Sequence, residues 1–504
     1  MESYVWIVSF LWVASWFLQI NGLLICSKED GGGICPDHSK CCNLQNQSHI
    51  TNFASGCIPS SKTYREGNGT CCGDGTACPG NYQCDIILSH QQHQESICVL
   101  EHHHDNTTTK LYLPRYQLIP VPLKSIGQMY GFPLTNHYYT TTTTKPAVIA
   151  YYSSHGPILT NTKQHHNAHR IRVAIIMIHG SERNADEYLY STMTAAHIQK
   201  KYLPNEIISI APRFLAREDG VLSVPVVYDE HHMEQMECLL WNETYPIPHT
   251  WRYGANALYP FDDISSYDAI DAIMEYLLTS SKHSFKFLER IVIAGHSAGG
   301  QFVHRWALTS NSAFWEHPLV YGFDDGSMTT MLKRNLRSSY SHHATIDVVI
   351  VSANPRSYCY LDARRYINGT FQIPPASMIQ SCPTYNSWEW GLDDGGISCT
   401  YRDKAMAYFE GNTSHLAERY SKRNVIYLSG ANDTESLHGS CEDDGFQGMH
   451  RRQRSELFFN SLREFFGKQV HKRQVVKESG HDHMFMFQSN EGRRALFGES
   501  ISKQ

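Results

Sequence analysis

The sequence predicts an α/β protein with a mostly parallel sheet, and two features of the chain lead to this prediction. From Ile171 onward, short β-branched runs alternate with segments of helical periodicity, which is the pattern of a sheet covered by crossover helices. One of these runs, at residues 290–300, leads through a glycine-rich turn directly into a helical segment. The chain of 504 residues is long enough to bury a large core and to contain more than one domain.

Composition limits the classes of function. With 41% hydrophobic residues and a formal net charge of -6, the chain has the composition of an ordinary globular protein. It has no basic excess that would favour nucleic acid as a partner.

The first residues predict entry into a secretory pathway. Residues 4–20 are almost entirely apolar and precede a cysteine-rich segment, so residues 1–25 are expected to be a signal peptide and the protein to be secreted. No Lys or Arg precedes the apolar run and no small-x-small site precedes Cys26, so an uncleaved signal anchor stays open. Seven glycosylation sequons fit this pathway, at Asn46, Asn68, Asn106, Asn242, Asn368, Asn412 and Asn432.

Ten of the fifteen cysteines lie between Cys26 and Cys98, with few large apolar residues among them. Such a segment cannot fold on packing alone, so residues 26–99 are expected to form a small disulfide-held module whose pairing the sequence does not give. Its cysteine doublets and its Cys-Pro-x-x-Tyr-x-Cys spacing resemble granulin-type modules. A metal-binding cysteine cluster is the alternative, and contact of the module with a polysaccharide or polymer is a further hypothesis.

Residues 100–170 are expected to be a linker that passes into irregular structure. They contain a threonine run and the histidine triplet His102 to His104. Such a triplet is typical of a solvated linker, and a metal site on it is the alternative.

Residues 171–504 are expected to form the α/β domain. The predicted strands are Val173 to Ile178, Glu206 to Ala211, Arg290 to Ala294, Asp347 to Ser352, Asn424 to Leu428 and Gln474 to Val476. The predicted helices run from about Asp263 to Leu278, with five apolar residues on one face, and from Ser455 to Phe466. Residues 353–417 are rich in Pro, Gly, Tyr and Trp and are expected to be a loop-rich insertion that could lie over the functional site.

The turn at the end of the third strand has the pattern Gly-x-Ser-x-Gly, from Gly295 to Gly299. This pattern suits a serine on a strained strand-to-helix turn, because only small neighbours leave room there. Ser297 is therefore the candidate nucleophile, and the backbone N–H of Ala298 is expected to point toward an oxyanion. A glycine-rich turn with an idle serine is the alternative.

A second oxyanion donor is expected after an earlier strand. Gly180 and Ser181 follow the strand that ends at Ile178, and the backbone N–H of Ser181 is the candidate donor. A glycine turn that merely ends the strand stays open.

A serine hydroxyl needs a base, and the base needs a group that holds its tautomer. Asp433 and His481 each come shortly after a predicted strand and are the candidate acid and base. The sequon at Asn432 directly precedes Asp433, so Asp443 and Asp444 stay open as substitutes for the acid.

His483 is the alternative base, although Gly480 before His481 favours His481. A metal site built from His481, Asp482 and His483 is a further alternative. A lone His-x-His pair argues against it, because it lacks a third ligand in sequence reach. His296, beside the serine, is expected to contribute to packing rather than to chemistry.

Five cysteines follow the N-terminal module, and their odd number predicts two disulfides and one free thiol: Cys238, Cys359, Cys382, Cys399 and Cys441. Cys441 is expected to tie the loop after Asp433 to the insertion.

Four stretches together resemble secreted α/β-hydrolases of the esterase kind, similar to polyhydroxyalkanoate depolymerases and feruloyl esterases: HGSERNADEY, GHSAGG, VIYLSGANDT and GHDHMFMF. The resemblance extends from about Ile171 to Phe497. It implies an α/β-hydrolase fold that cleaves small or polymeric carboxylic esters through an acyl-serine without a cofactor or metal. The residues it implies are the triad of Ser297, Asp433 and His481 and the oxyanion donors Ser181 and Ala298.

Two other functions stay open. A hydrolase-fold domain without activity could serve as a binding or adhesion module, and the same machinery could cleave amides as a serine peptidase.

Overall fold

The computed structural model describes residues 128–134, 147–159, 170–229, 231–242, 250–280, 285–316, 320–321, 346–394, 399–408, 411–437 and 440–499. Before residue 128 it describes the backbone of ten short strands. Most of the predicted signal peptide, the cysteine pairing of the N-terminal module and the side chains of the histidine triplet therefore lie outside the described residues. The chain divides into two compact units, Met1–Gln128 with Leu189–Ile198 and Met129–Tyr188 with Gln199–Gln504.

The ten strands of the first unit pair in antiparallel ribbons. They are Leu23–Cys26, Gly33–Pro36, Ser39–Asn43, Ser55–Pro59, Thr70–Cys71, Thr76–Cys78, Gln83–Leu88, Gln94–His104, Thr107–Leu113 and Tyr116–Gln117. The pairing of Gln94–His104 with Thr107–Leu113 lies where irregular linker structure was expected. The β-branched threonines of the second strand favour this extended pairing.

The second unit contains a sheet of nine strands, numbered here in chain order. They are β1 (Tyr130–Leu134), β2 (Ala147–Ser153), β3 (Val173–Ile178), β4 (Ile207–Arg213), β5 (Arg290–His296), β6 (Val320–Tyr321), β7 (Ile346–Ala353), β8 (Asn424–Gly430) and β9 (Lys472–Val476). Their order across the sheet is β1-β2-β4-β3-β5-β7-β8-β9, and the short β6 pairs with the start of β7. The pairs β1/β2 and β2/β4 are antiparallel and all other pairs of this sheet are parallel.

The parallel part of the sheet confirms the predicted α/β class. Every residue of β3 and β5 is buried, as both faces of a parallel sheet are covered by helices and loops. All six predicted strands are present, and their ends lie within two residues of the prediction.

Two strands of the sheet contradict the expectation that residues 100–170 form a linker. Strand β1 pairs with β2 over Tyr130 to Leu134, and β2 pairs with β4. Strand β1 contains Pro133, which has no N–H for a ladder and is tolerated because β1 lies at the edge of the sheet. The sheet therefore begins at Tyr130, about 40 residues before the predicted domain boundary at Ile171.

The described helices of the second unit, and the helix that the two units share, are numbered α1 to α10. They are α1 (Ala185–Ile198), α2 (Ser266–Ser280), α3 (Ala298–Thr309), α4 (Ala376–Ser381), α5 (Thr400–Tyr408), α6 (Thr413–Ser421), α7 (Cys441–Phe446), α8 (Arg451–Phe466), α9 (His483–Gln488) and α10 (Asn490–Phe497). Among the described residues, no helix combines the length and apolar character needed to cross a bilayer.

Capping explains where two predicted helices begin. Helix α2 starts at Ser266, because the Ser265 N–H donates to Asp268 Oδ2 (2.9 Å) and the Asp268 N–H donates to Ser265 Oγ (3.1 Å). Helix α8 starts at Arg451 rather than Ser455, because the His450 ring accepts from the Gln453 N–H at 3.2 Å.

The predicted insertion is more ordered than a loop. It contains the hairpin Arg365–Ile367 with Thr370–Gln372, the helices α4 and α5, and the start of α6. The disulfide Cys382–Cys441 joins it to α7, which confirms the expected bridge from Cys441 to the insertion.

The expectation of two disulfides among the five later cysteines is wrong. Cys238, Cys359 and Cys399 are buried free thiols. The thiol of Cys359 donates to the Gly391 carbonyl and that of Cys399 to the Gly254 carbonyl, so each sulfur packs against backbone rather than against another sulfur.

Candidate active site

Ser297 lies at the turn between the central strand β5 and helix α3. Its backbone has φ 58° and ψ -118°, a conformation that costs a non-glycine residue roughly 1–3 kcal/mol. The Ser297 N–H donates to the Ala353 carbonyl at 3.0 Å, which ties the strained turn to the end of β7. The turn therefore presents the Ser297 side chain at the carboxyl edge of the sheet, as the Gly-x-Ser-x-Gly pattern predicts.

The two glycines of this pattern are required by close backbone contacts. A Cβ on Gly295 would lie 2.3 Å from the Gly299 carbonyl oxygen. A Cβ on Gly299 would lie 2.2 Å from the Ile178 carbonyl oxygen and 2.6 Å from that of His179. The start of α3 therefore packs directly against the end of β3, where the predicted oxyanion loop begins.

The structure brings three predicted side chains into one hydrogen-bonded chain. His481 Nε2 lies 2.9 Å from Ser297 Oγ, and His481 Nδ1 lies 2.8 Å from Asp433 Oδ2. A carboxylate beside Nδ1 places the ring proton there, which leaves Nε2 free to accept the Ser297 hydroxyl proton. Asp433 follows β8 and His481 follows β9, so both loops leave the same edge of the sheet as Ser297.

The two ends of this hydrogen-bonded triad differ in their exposure to solvent. The Asp433 side chain is 2% exposed, and its Oδ1 lies 3.5 Å from the Arg451 guanidinium. The His481 side chain keeps 32% of its surface in solvent. Loss of water lowers the pKa of His481, the hydrogen bond to Asp433 opposes this, and the Arg451 charge adds to the lowering.

The alternative acid and base lie in other contacts. Asp443 accepts from Arg356 Nε at 3.1 Å and from Trp390 Nε1 at 3.0 Å, and the Asp444 side chain lies outside the described residues. The His483 ring stacks on Tyr188 with centroids 4.1 Å apart, and it does not replace His481 beside Ser297.

Asp482, part of the alternative metal site, makes contacts within its own helix. The Asp482 carboxylate caps α9 by accepting from the Met484 N–H (2.8 Å) and the Phe485 N–H (3.2 Å). Among the described residues, the group with metal-ligand spacing is Cys382, Cys441 and Glu442, and its two sulfurs are bonded to each other.

Ser181 lies on an ordered loop after β3. His179 fixes this loop, since its Nε2 accepts from the Phe214 N–H at 3.0 Å and its Nδ1 lies 2.8 Å from the Gly180 carbonyl. Burial lowers the pKa of His179 to about 3, so the ring stays neutral and can both accept and donate. Arg183, with φ 58°, closes the loop through an ion pair to Asp219 at 2.7 Å.

The N–H groups at the start of α3 have no acceptor within the helix, and the helix dipole favours negative charge there. Ala298 is the first residue of α3. The predicted donors Ser181 and Ala298 therefore lie on two backbone segments that approach each other where Gly299 packs against Ile178 and His179.

Sequence reasoning missed Arg451 and Asn354. Arg451 lies beside Asp433. Asn354 lies directly after β7, where its side chain contacts the last residue of β8 and the loop of His481. A signal was present for Asn354, because a polar residue just past the carboxyl end of a parallel strand is a candidate for a site at that edge.

Asn432, on the loop of Asp433, contacts the loop that carries His481. Its N–H donates to the Ser479 carbonyl at 2.8 Å and its side-chain amide donates to the Glu478 carbonyl at 3.2 Å, while the residue itself is exposed. The sequon nitrogen therefore already has a partner in the loop that carries His481.

Comparison with known proteins gives structural likeness alone. No family model and no curated protein matches the chain. Among solved structures, a poly(aspartic acid) hydrolase from Sphingomonas sp. KT-1 is 18% identical, with a TM-score of 0.40 over 73% of this chain and 98% of its own. A poly(3-hydroxybutyrate) depolymerase from Bordetella parapertussis is 16% identical, with a TM-score of 0.41 over 75% and 93%. A siderophore hydrolase from Aspergillus nidulans is 14% identical, with a TM-score of 0.30 over 76% and 98%.

The sheet itself defines the class of fold. A mostly parallel sheet with an antiparallel second strand, a serine turn between its central strand and a helix, and functional loops after β8 and β9 make up the α/β-hydrolase fold.

Proposed function

We propose that the protein is a serine hydrolase that cleaves carboxylic esters through an acyl-serine intermediate. The observation that supports this most directly is the hydrogen-bonded chain from Ser297 through His481 to Asp433. The strained turn of Ser297 and the buried carboxylate beside His481 also support the proposal, because both position groups that an acyl-serine mechanism uses.

In the first half of the reaction, Ser297 Oγ attacks the ester carbonyl carbon while His481 Nε2 takes the hydroxyl proton. Asp433 holds the imidazole in the required tautomer and stabilises the imidazolium that forms. The N–H groups of Ser181 and Ala298 hold the tetrahedral oxyanion. The carbon–oxygen bond to the alcohol then breaks, His481 returns its proton to the leaving alkoxide, and the acyl group stays on Ser297.

In the second half, water attacks the acyl carbon and His481 takes a proton from it. The bond to Ser297 Oγ breaks, the serine regains the proton, and the carboxylic acid leaves. No step requires a cofactor.

Covalent labelling tests the proposal. A fluorophosphonate should label the intact protein, and Ser297→Ala should remove the label because the attacking oxygen is gone. Ser181→Ala is a matched serine control that keeps its backbone N–H and should still label. Failure of the intact protein to label would favour the binding or adhesion function instead.

The substrate bond is tested separately. Turnover of p-nitrophenyl esters of rising acyl length, compared with the matching p-nitroanilides, distinguishes an esterase from a serine peptidase. We expect turnover of the esters alone, and faster cleavage of the anilides would contradict the proposal.

We also propose that the protein is secreted. The apolar start of the chain and the ten cysteines that follow support this, since disulfides persist in oxidising compartments. Expression of the full chain in a secretory host should release it into the medium with the first 25 or so residues removed, as N-terminal sequencing would show. Retention on membranes with Met1 intact would indicate a signal anchor.

A further inference from the structure

Asn354 lies at the point where three strands of the site meet. It follows β7, which lies in the sheet between β5, the strand of Ser297, and β8, the strand that leads to Asp433. The carbonyl of the preceding residue, Ala353, accepts the Ser297 N–H, and the Asn354 N–H donates to the Leu428 carbonyl, each at 3.0 Å. The backbone here is therefore fixed to both neighbouring strands.

The Asn354 side chain joins the last residue of β8, just before the loop of Asp433, to the loop of His481. Its Oδ1 accepts from the Gly430 N–H at 2.8 Å, and its Nδ2 donates to the Gly480 carbonyl at 3.0 Å. Gly430 precedes Asp433 by three residues and Gly480 directly precedes His481. The two contacts fix the orientation of the amide, because the opposite orientation would place N–H against N–H and oxygen against oxygen.

A longer contact connects Asn354 to the other side of the site. Nδ2 lies 3.4 Å from His296 Nε2, and His296 Nδ1 lies 3.3 Å from the Tyr188 hydroxyl. The Tyr188 oxygen in turn accepts a hydrogen bond from the Gly180 backbone. A row of polar contacts thus runs from the loop after β3 through His296, the residue before Ser297, to the loop of His481.

Asparagine suits this position in two ways. Asn354 has φ 42°, a left-handed conformation that Asn adopts more readily than most residues with a side chain. It is 2% exposed, so both loop contacts are made away from water. Aspartate would keep the acceptor for Gly430 but would lose the donor for Gly480.

We propose that Asn354 is a positioning residue that holds the acid and base loops in register with Ser297, an inference that rests on the proposed function. Without its amide, Asp433 and His481 keep their chemistry but lose their fixed distance to Ser297. A displacement of about 1 Å at a reacting group can cost about 100-fold in rate.

The competing explanation is a buried amide that only stabilises the fold. Asn386 provides the matched control, since it is 6% exposed, donates to Asp393 at 2.8 Å and accepts from Arg365 at 3.0 Å, all within the insertion. Asn386→Ala removes a similar pair of buried hydrogen bonds, and Asn386 makes neither of them with the loops of Asp433 and His481.

The kinetic test compares Asn354→Ala, Asn354→Asp and Asn386→Ala in the full chain, well below the Tm of each. We expect Asn354→Ala to lower kcat on p-nitrophenyl acetate about 100-fold with KM changed less than about threefold. Asn354→Asp, although nearly equal in volume, should lose as much, because its second oxygen faces the Gly480 carbonyl. Asn386→Ala should lower Tm with kcat changed less than about threefold. Equal kcat in Asn354→Ala and Asn386→Ala would overturn the inference.

A spectroscopic readout separates this inference from the proposed function. The proton between His481 Nδ1 and Asp433 should give a proton NMR signal far downfield of the amides, assigned by its loss in His481→Gln. Asn354→Ala should remove or broaden this signal, and Asn386→Ala should keep it. If the wild-type chain proves inert toward esters and fluorophosphonate, loss of the signal still supports positioning by Asn354. Retention of the signal in Asn354→Ala would contradict it whether or not the chain is an enzyme.

Discussion

At the scale of single residues, the proposed mechanism depends on His481 being neutral, and desolvation favours its neutral form. Desolvation lowers the pKa of His481 below its ordinary value of 6.5, and Arg451 pushes in the same direction, while the bond to Asp433 opposes both. A base must be neutral to accept a proton, so a lowered pKa extends activity toward acid.

The pH profile should show this shift. We expect kcat/KM to fall only as the pH drops through a midpoint below 6.5, because His481 is protonated only there. Arg451→Gln removes a positive charge near the ring and should move the midpoint upward, whereas Arg451→Lys keeps the charge and should move it less. A midpoint at or above 6.5 in the wild-type chain, or equal midpoints in both variants, would contradict this account.

The proposed oxyanion donor on the loop after β3, Ser181, would act through its backbone, so its test depends on the N–H rather than on the side chain. Ser181→Pro removes the N–H and should lower kcat by about 100- to 1000-fold. Ser181→Ala keeps the N–H and should retain near wild-type kcat. We would measure kcat on p-nitrophenyl acetate and check the fold of each variant by circular dichroism. If both substitutions changed kcat equally, the oxyanion donor would be another group.

The sequence predicts the placement of the triad residues better than that of Asn354. Ser297, Asp433 and His481 each follow a recognisable strand, and parallel strands bring their carboxyl ends to one edge, so their approach could be predicted. The partners of Asn354 are the last residue of β8 and a residue of the His481 loop, 76 and 126 residues away along the chain. No local pattern encodes such contacts.

At the scale of elements, the bridge between the insertion and α7 joins two segments that each contact the site region. Cys382 and Cys441 are 59 residues apart in sequence, and closing a loop of that length stabilises a fold by about 4 kcal/mol in the chain-entropy model. Helix α7 also carries Asp443, which accepts from Arg356 close to Asn354.

Replacing both cysteines should therefore lower stability more than activity. We expect Cys382→Ser with Cys441→Ser to reduce the free energy of unfolding by about 2–4 kcal/mol, measured by chemical denaturation, with kcat at 25 °C lowered only a few-fold. Cys238→Ser, at a buried free thiol, is the control for loss of sulfur packing. If the free energy of unfolding fell no more than in Cys238→Ser, the disulfide would add no stability beyond the packing of its sulfur atoms.

Element boundaries show where sequence reasoning reached its limit. The starts of α2 and α8 depend on capping contacts of the Asp268 and His450 side chains, which hydrophobic periodicity does not encode. Strands β1 and β2 were missed because the segment around them looked irregular in composition, yet the sheet edge accepts a strand with Pro133.

At the scale of the whole molecule, several buried histidines link stability to pH. His304 on α3 accepts from the Cys359 N–H at 2.9 Å and lies 3.1 Å from the Tyr420 hydroxyl. Burial holds its pKa well below 6.5, so below that pH the unfolded chain binds a proton that the folded chain does not. Its contribution to stability therefore falls as the pH drops from 6.5 toward the folded pKa.

A single substitution should change the slope of this dependence. We expect His304→Gln to reduce the slope of unfolding free energy between pH 6 and 5 by about 1.4 kcal/mol per pH unit, the value for one proton. Urea titrations at several pH values measure the slope in the wild-type chain and in His304→Gln, and an unchanged slope in the variant would mean that the ring is protonated in the folded chain.

The contacts of Asn432 have a consequence for biosynthesis. Oligosaccharide transfer requires an accessible Asn-x-Thr tripeptide, and here the middle residue is Asp433 itself. In a chain that enters a secretory pathway, sugar transfer and closure of the Glu478 loop over this amide would compete for the same nitrogen. The fraction of molecules that carry a sugar at Asn432 would then record which event came first.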